Sequence, residues 1–432
     1  MPAPIFHESG NRPRVVIAGA GFAGLWAARR LNSRKYNVLL VDRNNYHTFL
    51  PLLYQVASAE LEPEQIAYPV RGVIHRLRNV SFLMADIQGL DSENKLLKTD
   101  GRDVAYDYLV LALGSRTNFF GVPGASDYSF RLKSLEQGIH LRNHIMSRFE
   151  SAAWEPDPAL QRKALTFAVV GGGPTGVEYA GALSELIRGP LAKDFPRLNI
   201  AQARVVLLEA SETLLAGFPD KLRDYALKGL GRKNVEVRLG AQVAQVEPDA
   251  VHMRDGSALA TQTVVWTAGV RGPDLAKDLG LATGPGNRLL VVPTLQAEGR
   301  PEIFVVGDLA VIKDTPPLPM IAPVAVQQGS HAARNIKRMA RSRPLKDFRY
   351  RDKGSMATIG RNAAVVKLGR MAFTGFFAWL VWLFVHLMYL IGFRNRIIVL
   401  INWAADYIFF ERAVRLVLPK EPAWVKGKRR RD

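Results

Sequence analysis

The sequence of 432 residues contains no cysteine. That absence excludes disulfide bonds, a catalytic thiol, zinc sites with cysteine ligands and cysteine-ligated iron–sulfur clusters, and we predict no metal site. It is consistent with a reducing compartment. Residues 1–14 also lack the apolar core of a signal peptide, so we expect the bulk of the chain to be cytoplasmic.

Acidic residues are scarce: 39 Asp and Glu stand against 58 Lys and Arg, a formal net charge of +19. Over half of this excess lies in residues 346–432, which hold 17 Lys and Arg and 6 Asp and Glu. The longest apolar run, Gly375 to Phe393, lies in the same segment. Basic residues that flank an apolar run indicate a membrane surface with anionic lipid headgroups, and we predict no nucleic-acid partner.

A glycine-rich pattern follows the first apolar run. Residues 14–18 predict a buried strand, and Gly19, Gly21 and Gly24 form a G-x-G-x-x-G pattern ahead of a helical segment. The next apolar run ends at Asp42. This order of strand, turn, helix and strand is typical of a dinucleotide-binding unit.

The same pattern returns 152 residues later. Gly171, Gly173 and Gly176 lie between an apolar run and a helical segment, and the following apolar run ends at Glu209. Two copies predict an α/β fold with two Rossmann-like dinucleotide-binding domains.

The composition suggests where the domains divide. We expect residues 1–120 and 291–345 to form the first domain and residues 121–290 the second. Residues 346–432 should form a C-terminal, membrane-anchoring helical module.

Each residue of the glycine pattern has a physical role. The first glycine allows the tight turn, the second lets the backbone approach a pyrophosphate, and the third lets the helix pack against the strand. The carboxylate at the end of the next strand accepts hydrogen bonds from ribose hydroxyls. Because Glu209 would repel a 2′-phosphate, we predict NADH rather than NADPH in the second domain.

Seven short segments, in this order, resemble the type II NADH dehydrogenases, which are single-subunit NADH:quinone oxidoreductases of the two-dinucleotide-binding-domain flavoprotein superfamily. They are residues 18–24 (AGAGFAG), 45–57 (NYHTFLPLLYQVA), 111–115 (LALGS), 170–178 (VGGGPTGVE), 266–270 (WTAGV), 306–308 (VGD) and 322–329 (APVAVQQG). The resemblance implies FAD in the first domain and NADH in the second. It also implies hydride transfer from NADH to FAD and electron transfer to a membrane quinone, without proton pumping.

The resemblance assigns roles to individual residues. Asp42 would hold the adenine ribose of FAD, and Asp308 its ribityl and phosphate region. The other residues that it places at the cofactors are Gly19, Gly21 and Gly24 for FAD, His47 and Gln55 near the flavin, Gly114, Ala268 and Gly269 in the segments that cross between domains, and Gly171, Gly173, Gly176 and Glu209 for NADH. A single histidine more often packs or forms a hydrogen bond, and His47 has that alternative role.

Three residues are candidates for the chemistry itself. Glu178 is either an acid stabilised by a helix N-terminus or a group near the flavin and nicotinamide that relays a proton. Gln327 matches the second glutamine of the family's quinone motif, Ala-Gln-x-x-x-Gln, and Gln328 adds a second amide. Pro323 replaces the first glutamine of that motif, so one quinone contact is missing.

The C-terminal segment allows three arrangements. The run Gly375–Phe393 has 19 residues, and as one helix it would reach ~28 Å, close to the thickness of a bilayer core. Alternatively, this run and the shorter Ile397–Phe410 both lie in one leaflet, as in the monotopic family, or they form a soluble hairpin at a homodimer interface. The basic residues 426–431 are a candidate headgroup-binding patch. We expect the protein on the cytoplasmic face of the cell membrane.

Two other functions remain open. A flavin reductase of the same fold would use a soluble electron acceptor, and a membrane-bound redox sensor would bind NADH and FAD with little turnover. Sulfide:quinone oxidoreductases and disulfide reductases share the architecture but require cysteines, which this chain lacks.

Overall fold

The computed structural model describes residues 12–409, residue 412 and residues 414–417. The predicted headgroup-binding patch at residues 426–431 lies outside these residues.

The larger sheet has nine strands and forms the first nucleotide-binding fold. Its central strands are parallel, and the apolar run that opens the chain lies in the middle with Val15, Val16 and Ile17 fully buried. Such a strand is apolar along its whole length because both faces of the sheet are covered. The strand order is Thr283–Gly284, Arg288–Val291, Gln296–Ala297, Arg300–Val305, Tyr108–Leu111, Arg14–Ala18, Asn37–Asp42 and Val80–Met84, with Ala310–Ile312 paired to Arg288–Val291.

The second sheet has five strands, all parallel. Their order is Ser129–Arg131, Thr263–Trp266, Thr166–Val170, Arg204–Leu208 and Val235–Arg238. In both sheets the strand before the glycine pattern lies inside the sheet, so each glycine turn emerges at the carboxyl edge, where open α/β sheets bind ligands.

Five small antiparallel sheets surround these two. Their strands are Tyr46–Thr48 with Ala67–Pro69; Ile87–Asp91, Leu96–Thr99 and Val104–Ala105; Arg116–Thr117 with Val270–Arg271; Val243–Val246, Ala250–Met253 and Ala258–Ala260; and Ser355–Thr358, Ala364–Leu368 and Met371–Gly375.

Seven α-helices in the described part of the chain have eight or more residues. They are α1 (Phe22–Arg30), α2 (Leu135–Ala152), α3 (Pro174–Leu186), α4 (Asp220–Arg232), α5 (Ala322–Met339), α6 (Phe376–Tyr389) and α7 (Phe393–Phe409). The shorter α-helices are Leu53–Ala57, Pro63–Ile66, Val70–Ile74, Ala125–Tyr128, Pro158–Ala164 and Ala192–Asp194. Helices α1 and α3 begin directly at the two glycine turns, which explains the glycines at their N-caps.

The C-terminal apolar run does not form the single helix of 19 residues that its length suggested. Helix α6 has 14 residues, because Leu390 adopts extended backbone, and α7 begins at Phe393. At the usual rise, α6 reaches only ~21 Å, less than the bilayer core. Among the residues that the structure describes, no helix combines the length and the apolar character needed to cross a membrane.

Candidate functional site

The first glycine turn is shaped by two close backbone contacts. Gly19 has a φ of +109°, and a Cβ there would lie 2.3 Å from the carbonyl oxygen of Ala112. A Cβ on Gly24 would lie 1.8 Å from the oxygen of Gly19, so only glycine lets α1 begin this close to the strand. Gly21, by contrast, has no atom within 4 Å of its Cβ position. The space that it faces is where a ligand would approach the backbone.

The second glycine turn repeats this geometry. Gly171 has a φ of +108°, and a Cβ on Gly176 would lie 1.9 Å from the oxygen of Gly171. Gly173 faces open space, as Gly21 does. The two turns therefore have matching tight positions and matching open positions.

A carboxylate meets each turn as predicted from the sequence. Asp42 accepts hydrogen bonds from the backbone N–H of Ala20 at 2.7 Å and of Asn44 at 2.8 Å. Glu209 accepts from the backbone N–H of Gly172 at 2.6 Å. Burial raises the pKa of Asp42, while these N–H groups and the nearby Arg43 lower it.

Ala268 and Gly269 belong to the crossover beside the second turn. A Cβ on Gly171 would lie 2.7 Å from the backbone nitrogen of Ala268, so this crossover packs directly against the turn. Gly269 has a φ of +66°, and a Cβ there would meet the ring of Phe120. The structure thus brings the predicted crossover residues to the second nucleotide site.

Asp308 is joined to the other predicted crossover by a side-chain bond. The hydroxyl of Ser115, next to Gly114, donates to Asp308 Oδ2 at 2.7 Å. The ammonium of Lys133 lies 3.4 Å from the same hydroxyl. Burial lowers the pKa of Lys133, although the nearby carboxylate of Asp308 raises it. Lys133 was not predicted, because a lysine ahead of a helix carries no motif of its own.

His47 packs against the first glycine turn. Its Nδ1 lies 3.0 Å from the carbonyl oxygen of Ala20, and its ring meets the edge of Phe22 at 4.9 Å between centroids. Burial lowers the pKa of His47 to about 4, so the ring is neutral at pH 7. Its Nε2 is buried and has no hydrogen-bond partner within the described ranges. A buried polar atom of this kind beside an open turn fits a bound cofactor that supplies the partner.

Glu178 is buried, with 8% of its surface exposed. Its Oε1 accepts a hydrogen bond of 3.3 Å from the backbone N–H of Thr358, in the C-terminal β-hairpin. Burial raises the pKa of Glu178 to about 8. The carboxyl group is therefore protonated at pH 7, and it can both give and take a proton near neutrality.

Both candidate quinone amides are bound to backbone groups. Gln327 donates to the carbonyl of Arg351 at 2.9 Å and accepts from the Arg351 N–H at 3.0 Å. Gln328 is buried and accepts from the N–H of Gly307 at 2.7 Å, at the turn that carries Asp308. To donate to a quinone, Gln327 would have to use its second amide hydrogen or release Arg351. Their contact with a quinone stays a prediction.

Gln55 lies farther from the glycine turn than its segment suggested. Its Nε2 donates to the hydroxyl of Tyr54 at 3.2 Å, and its Oε1 accepts from the indole of Trp403 in α7 at 3.1 Å. The C-terminal helices therefore complete the surroundings of Gln55, which the sequence could not indicate because 348 residues separate the two partners.

His386 is a further residue that only the structure brings to the first domain. Its ring stacks on Trp382 at 3.9 Å and lies 6.2 Å from Phe49, which in turn contacts Phe22 beside the glycine turn. Burial lowers the pKa of His386 to about 4. In the sequence it is simply the one ionisable residue of an apolar run.

Two family models match the chain. Residues 13–329 match the family described as pyridine nucleotide-disulphide oxidoreductase, and residues 353–412 match the NDH2 C-terminal domain. The type II NADH:quinone oxidoreductase Ndh of Mycobacterium tuberculosis is 36% identical over 431 residues, which cover 96% of this chain and 92% of that protein. This chain belongs to the type II NADH:quinone oxidoreductase family.

Other relatives agree with this membership. The type II NADH:quinone oxidoreductase of Staphylococcus saprophyticus is 30% identical over 82% of this chain and 89% of its own length. The fold resembles that of NDH2 from Plasmodium falciparum in complex with NADH, with a TM-score of 0.87, 18% identity and coverage of 94% and 100% of the two chains. The sulfide:quinone oxidoreductase from Aquifex aeolicus is a more distant neighbour, with a TM-score of 0.70, 17% identity and coverage of 94% and 93%.

In this family member a partly open cavity of about 620 Å³ lies between the two nucleotide-binding folds and the C-terminal helices. We call it the C-terminal cavity. Its wall includes the aromatic residues Trp379, Trp382, Trp403 and Tyr407, the polar residues Tyr54, Gln55 and Thr358, and the charged residues Glu60, Glu185, Arg361, Asp406 and Arg412.

A buried ion-pair network forms the floor of the C-terminal cavity. Arg412 Nη2 lies 2.6 Å from Glu60 Oε1 and 3.5 Å from Glu185 Oε2, and each of the three side chains is at most 14% exposed. Glu185 also pairs with Lys233 at 2.5 Å. Burial raises the pKa of Glu60 to about 7, although Arg412 lowers it. The network ties the C-terminal segment to both nucleotide-binding folds.

Proposed function

We propose that this chain oxidises NADH and reduces a quinone, with FAD in the first nucleotide-binding fold and NADH in the second. The observation that carries the proposal is the pair of matching glycine turns, each facing a carboxylate, in a chain that belongs to the type II NADH:quinone oxidoreductases. FAD, when bound, accepts a hydride from NADH and passes two electrons on to the quinone.

The protein's own groups bind and orient these molecules. The open backbone at Gly21 and Gly173 would receive the two pyrophosphates, with the positive ends of α1 and α3 behind them. Asp42 would take the ribose hydroxyls of FAD, and Glu209 those of NADH. Both carboxylates now accept backbone N–H bonds, and each oxygen has further capacity to accept from a ribose.

The remaining candidates act closer to the ring. Asp308, held by Ser115, would hydrogen-bond the ribityl region, and the unpartnered Nε2 of His47 would face the cofactor. Glu178 holds a proton at its carboxyl group at neutral pH. It would deliver that proton on reduction of the quinone, and Gln327 and Gln328 would orient the quinone.

We propose that α6 and α7 attach the enzyme to one leaflet at the cytoplasmic face of the cell membrane. Their exposed side chains include Phe377, Phe384 and Ile408, which are 65–69% exposed, and Arg394 and Arg396 lie beside them. Exposed aromatic and aliphatic groups next to basic residues suit an interfacial anchor on anionic lipids. The division of the chain at residues 120, 290 and 345 belongs to the same proposal, and the homodimer stays a prediction.

The test is an anaerobic titration of the purified yellow protein with NADH, followed by a short-chain quinone. We expect NADH to bleach the flavin absorbance and the quinone to restore it. Gly173→Val is the matched control: it should remain yellow but resist bleaching, because a side chain there would fill the space left for NADH.

Each alternative function predicts a different outcome. Reoxidation by a soluble acceptor but not by quinone would indicate the soluble-acceptor reductase, and bleaching without multiple turnovers would indicate the sensor. A preparation that NADH cannot bleach would contradict the proposal.

A further inference from the structure

The C-terminal cavity reaches the buried carboxyl group of Glu178 through a short chain of hydrogen bonds. The hydroxyl of Tyr54, at the cavity wall, lies 3.1 Å from the hydroxyl of Thr358. The backbone N–H of the same Thr358 binds Glu178. Gln55 donates to the Tyr54 hydroxyl at 3.2 Å from the cavity side.

This arrangement matters because the reaction consumes a proton from water. The balanced equation is NADH + H⁺ + quinone → NAD⁺ + quinol: the hydride brings two electrons and one proton, and the second proton comes from the medium. Glu178 has little contact with solvent, so a proton that it gives to a quinone must be replaced through the protein.

We propose that the C-terminal cavity is the proton inlet of the enzyme, and that the hydroxyl of Tyr54 is the relay residue between cavity water and Glu178. The inference rests on the proposed function, since Glu178 needs a new proton only if quinone is reduced. In each turnover Glu178 gives its proton to the reduced quinone, the Tyr54 hydroxyl passes one to the Glu178 carboxylate, and cavity water returns one to Tyr54.

The charges around the cavity suit this task. Glu60 lies on its floor, and burial brings the pKa of this carboxyl group close to neutrality. Burial also raises the pKa of Asp406 in α7, which lines the same cavity. The other charged groups that face these acids are Arg361, Arg412, Glu185 and Lys233. Two carboxyl groups that can hold protons near pH 7 would keep a supply at the mouth of the relay.

The main experiment uses the flavin-loaded full chain and the variant Tyr54→Phe, which removes the hydroxyl and keeps the ring that packs on Trp382. We expect the rate at which a short-chain quinone reoxidises the reduced enzyme to fall about tenfold or more, the scale of lost proton-transfer assistance. Bleaching by NADH should stay within about twofold of wild type, because hydride transfer takes no proton from water.

A second readout does not depend on turnover. The carbonyl stretching band of the protonated Glu178 carboxyl group, identified by its loss in Glu178→Gln, shifts in deuterated water as its proton exchanges. We expect this exchange to slow about tenfold or more in Tyr54→Phe. The flavin-free state of the full chain gives the same readout.

Tyr179→Phe is the matched control. Tyr179 follows Glu178 in α3, and its hydroxyl is buried and has no hydrogen-bond partner among the described residues. Removing it should change neither the exchange rate nor the reoxidation rate. If Tyr54→Phe does not fold, Thr358→Val removes the other hydroxyl of the chain and keeps the backbone N–H to Glu178.

The outcomes separate this inference from the proposed function. Exchange and reoxidation that remain at wild-type rates in both Tyr54→Phe and Thr358→Val would overturn the proton inlet. Slow reoxidation with normal carboxyl exchange would also overturn it, since the defect would then be structural. A wild-type enzyme that NADH does not bleach would refute the proposed function itself.

Discussion

Replacing the buried carboxyl group of Glu178 by an amide should stabilise the protein at neutral pH. The unfolded chain ionises this residue near its ordinary pKa of 4.5, whereas burial raises the pKa in the folded protein to about 8. Between these values the folded state binds a proton that the unfolded state does not bind. The wild-type free energy of unfolding therefore falls as pH rises from 4.5 to about 8.

The size of the effect follows from the shift. Each pKa unit corresponds to ~1.4 kcal/mol, so the wild type loses ~3 kcal/mol by pH 7 and ~5 kcal/mol above pH 8, relative to its stability at acid pH. Glu178→Gln does not titrate, and its side-chain oxygen still accepts from the Thr358 N–H. The difference in unfolding free energy between variant and wild type should thus grow with pH by these amounts.

Urea denaturation of the purified enzyme at pH 5, 7 and 8.5 measures this difference. Any constant cost of fitting the amide appears equally at all three values and cancels from the trend. Glu150→Gln, at the exposed end of α2, is the control and should show no growth with pH. A difference for Glu178→Gln that is flat from pH 5 to 8.5 would show that the carboxyl group ionises freely in the folded protein, and the reasoning would fail.

Three further predictions follow from the site. Gly24→Ala should lower the free energy of unfolding by ~1–3 kcal/mol, because its Cβ would overlap the oxygen of Gly19, whereas Gly21→Ala should keep wild-type stability and lose flavin on gel filtration. Glu209→Ala should raise KM for NADH about tenfold in steady-state assays and reduce the preference over NADPH; an unchanged ratio would contradict its ribose role. Arg412→Met should cost ~3–5 kcal/mol in urea denaturation, since it leaves two carboxylates of the C-terminal cavity unpaired, and adding Glu60→Gln should restore part of the loss.

The glycine turns could be predicted because their constraints are local. Gly19 and Gly24 are fixed by contacts within one strand, one turn and one helix, so a short stretch of sequence contains the whole requirement. Asp42 could be predicted for the same reason, since it ends the neighbouring strand and meets the turn directly.

The length of the C-terminal apolar run did not predict its helix. Composition identifies Gly375 to Phe393 as apolar, but the break at Leu390 is a backbone feature that no helix-breaking proline announces. Asn395 just beyond it donates to three backbone carbonyls of residues 64–67, and this tertiary contact holds the start of α7 against the first domain.

The sequence by itself determined the two nucleotide-binding units, their order and the family, since each of these depends on residues that are near one another in the chain. Only the tertiary structure decided the surroundings of Glu178, Gln55 and Arg412. Thr358, Trp403 and Glu60 are their respective partners, each at least 180 residues away. Burial by such distant segments sets the pKa of a carboxyl group, and no local pattern records which segment will cover it.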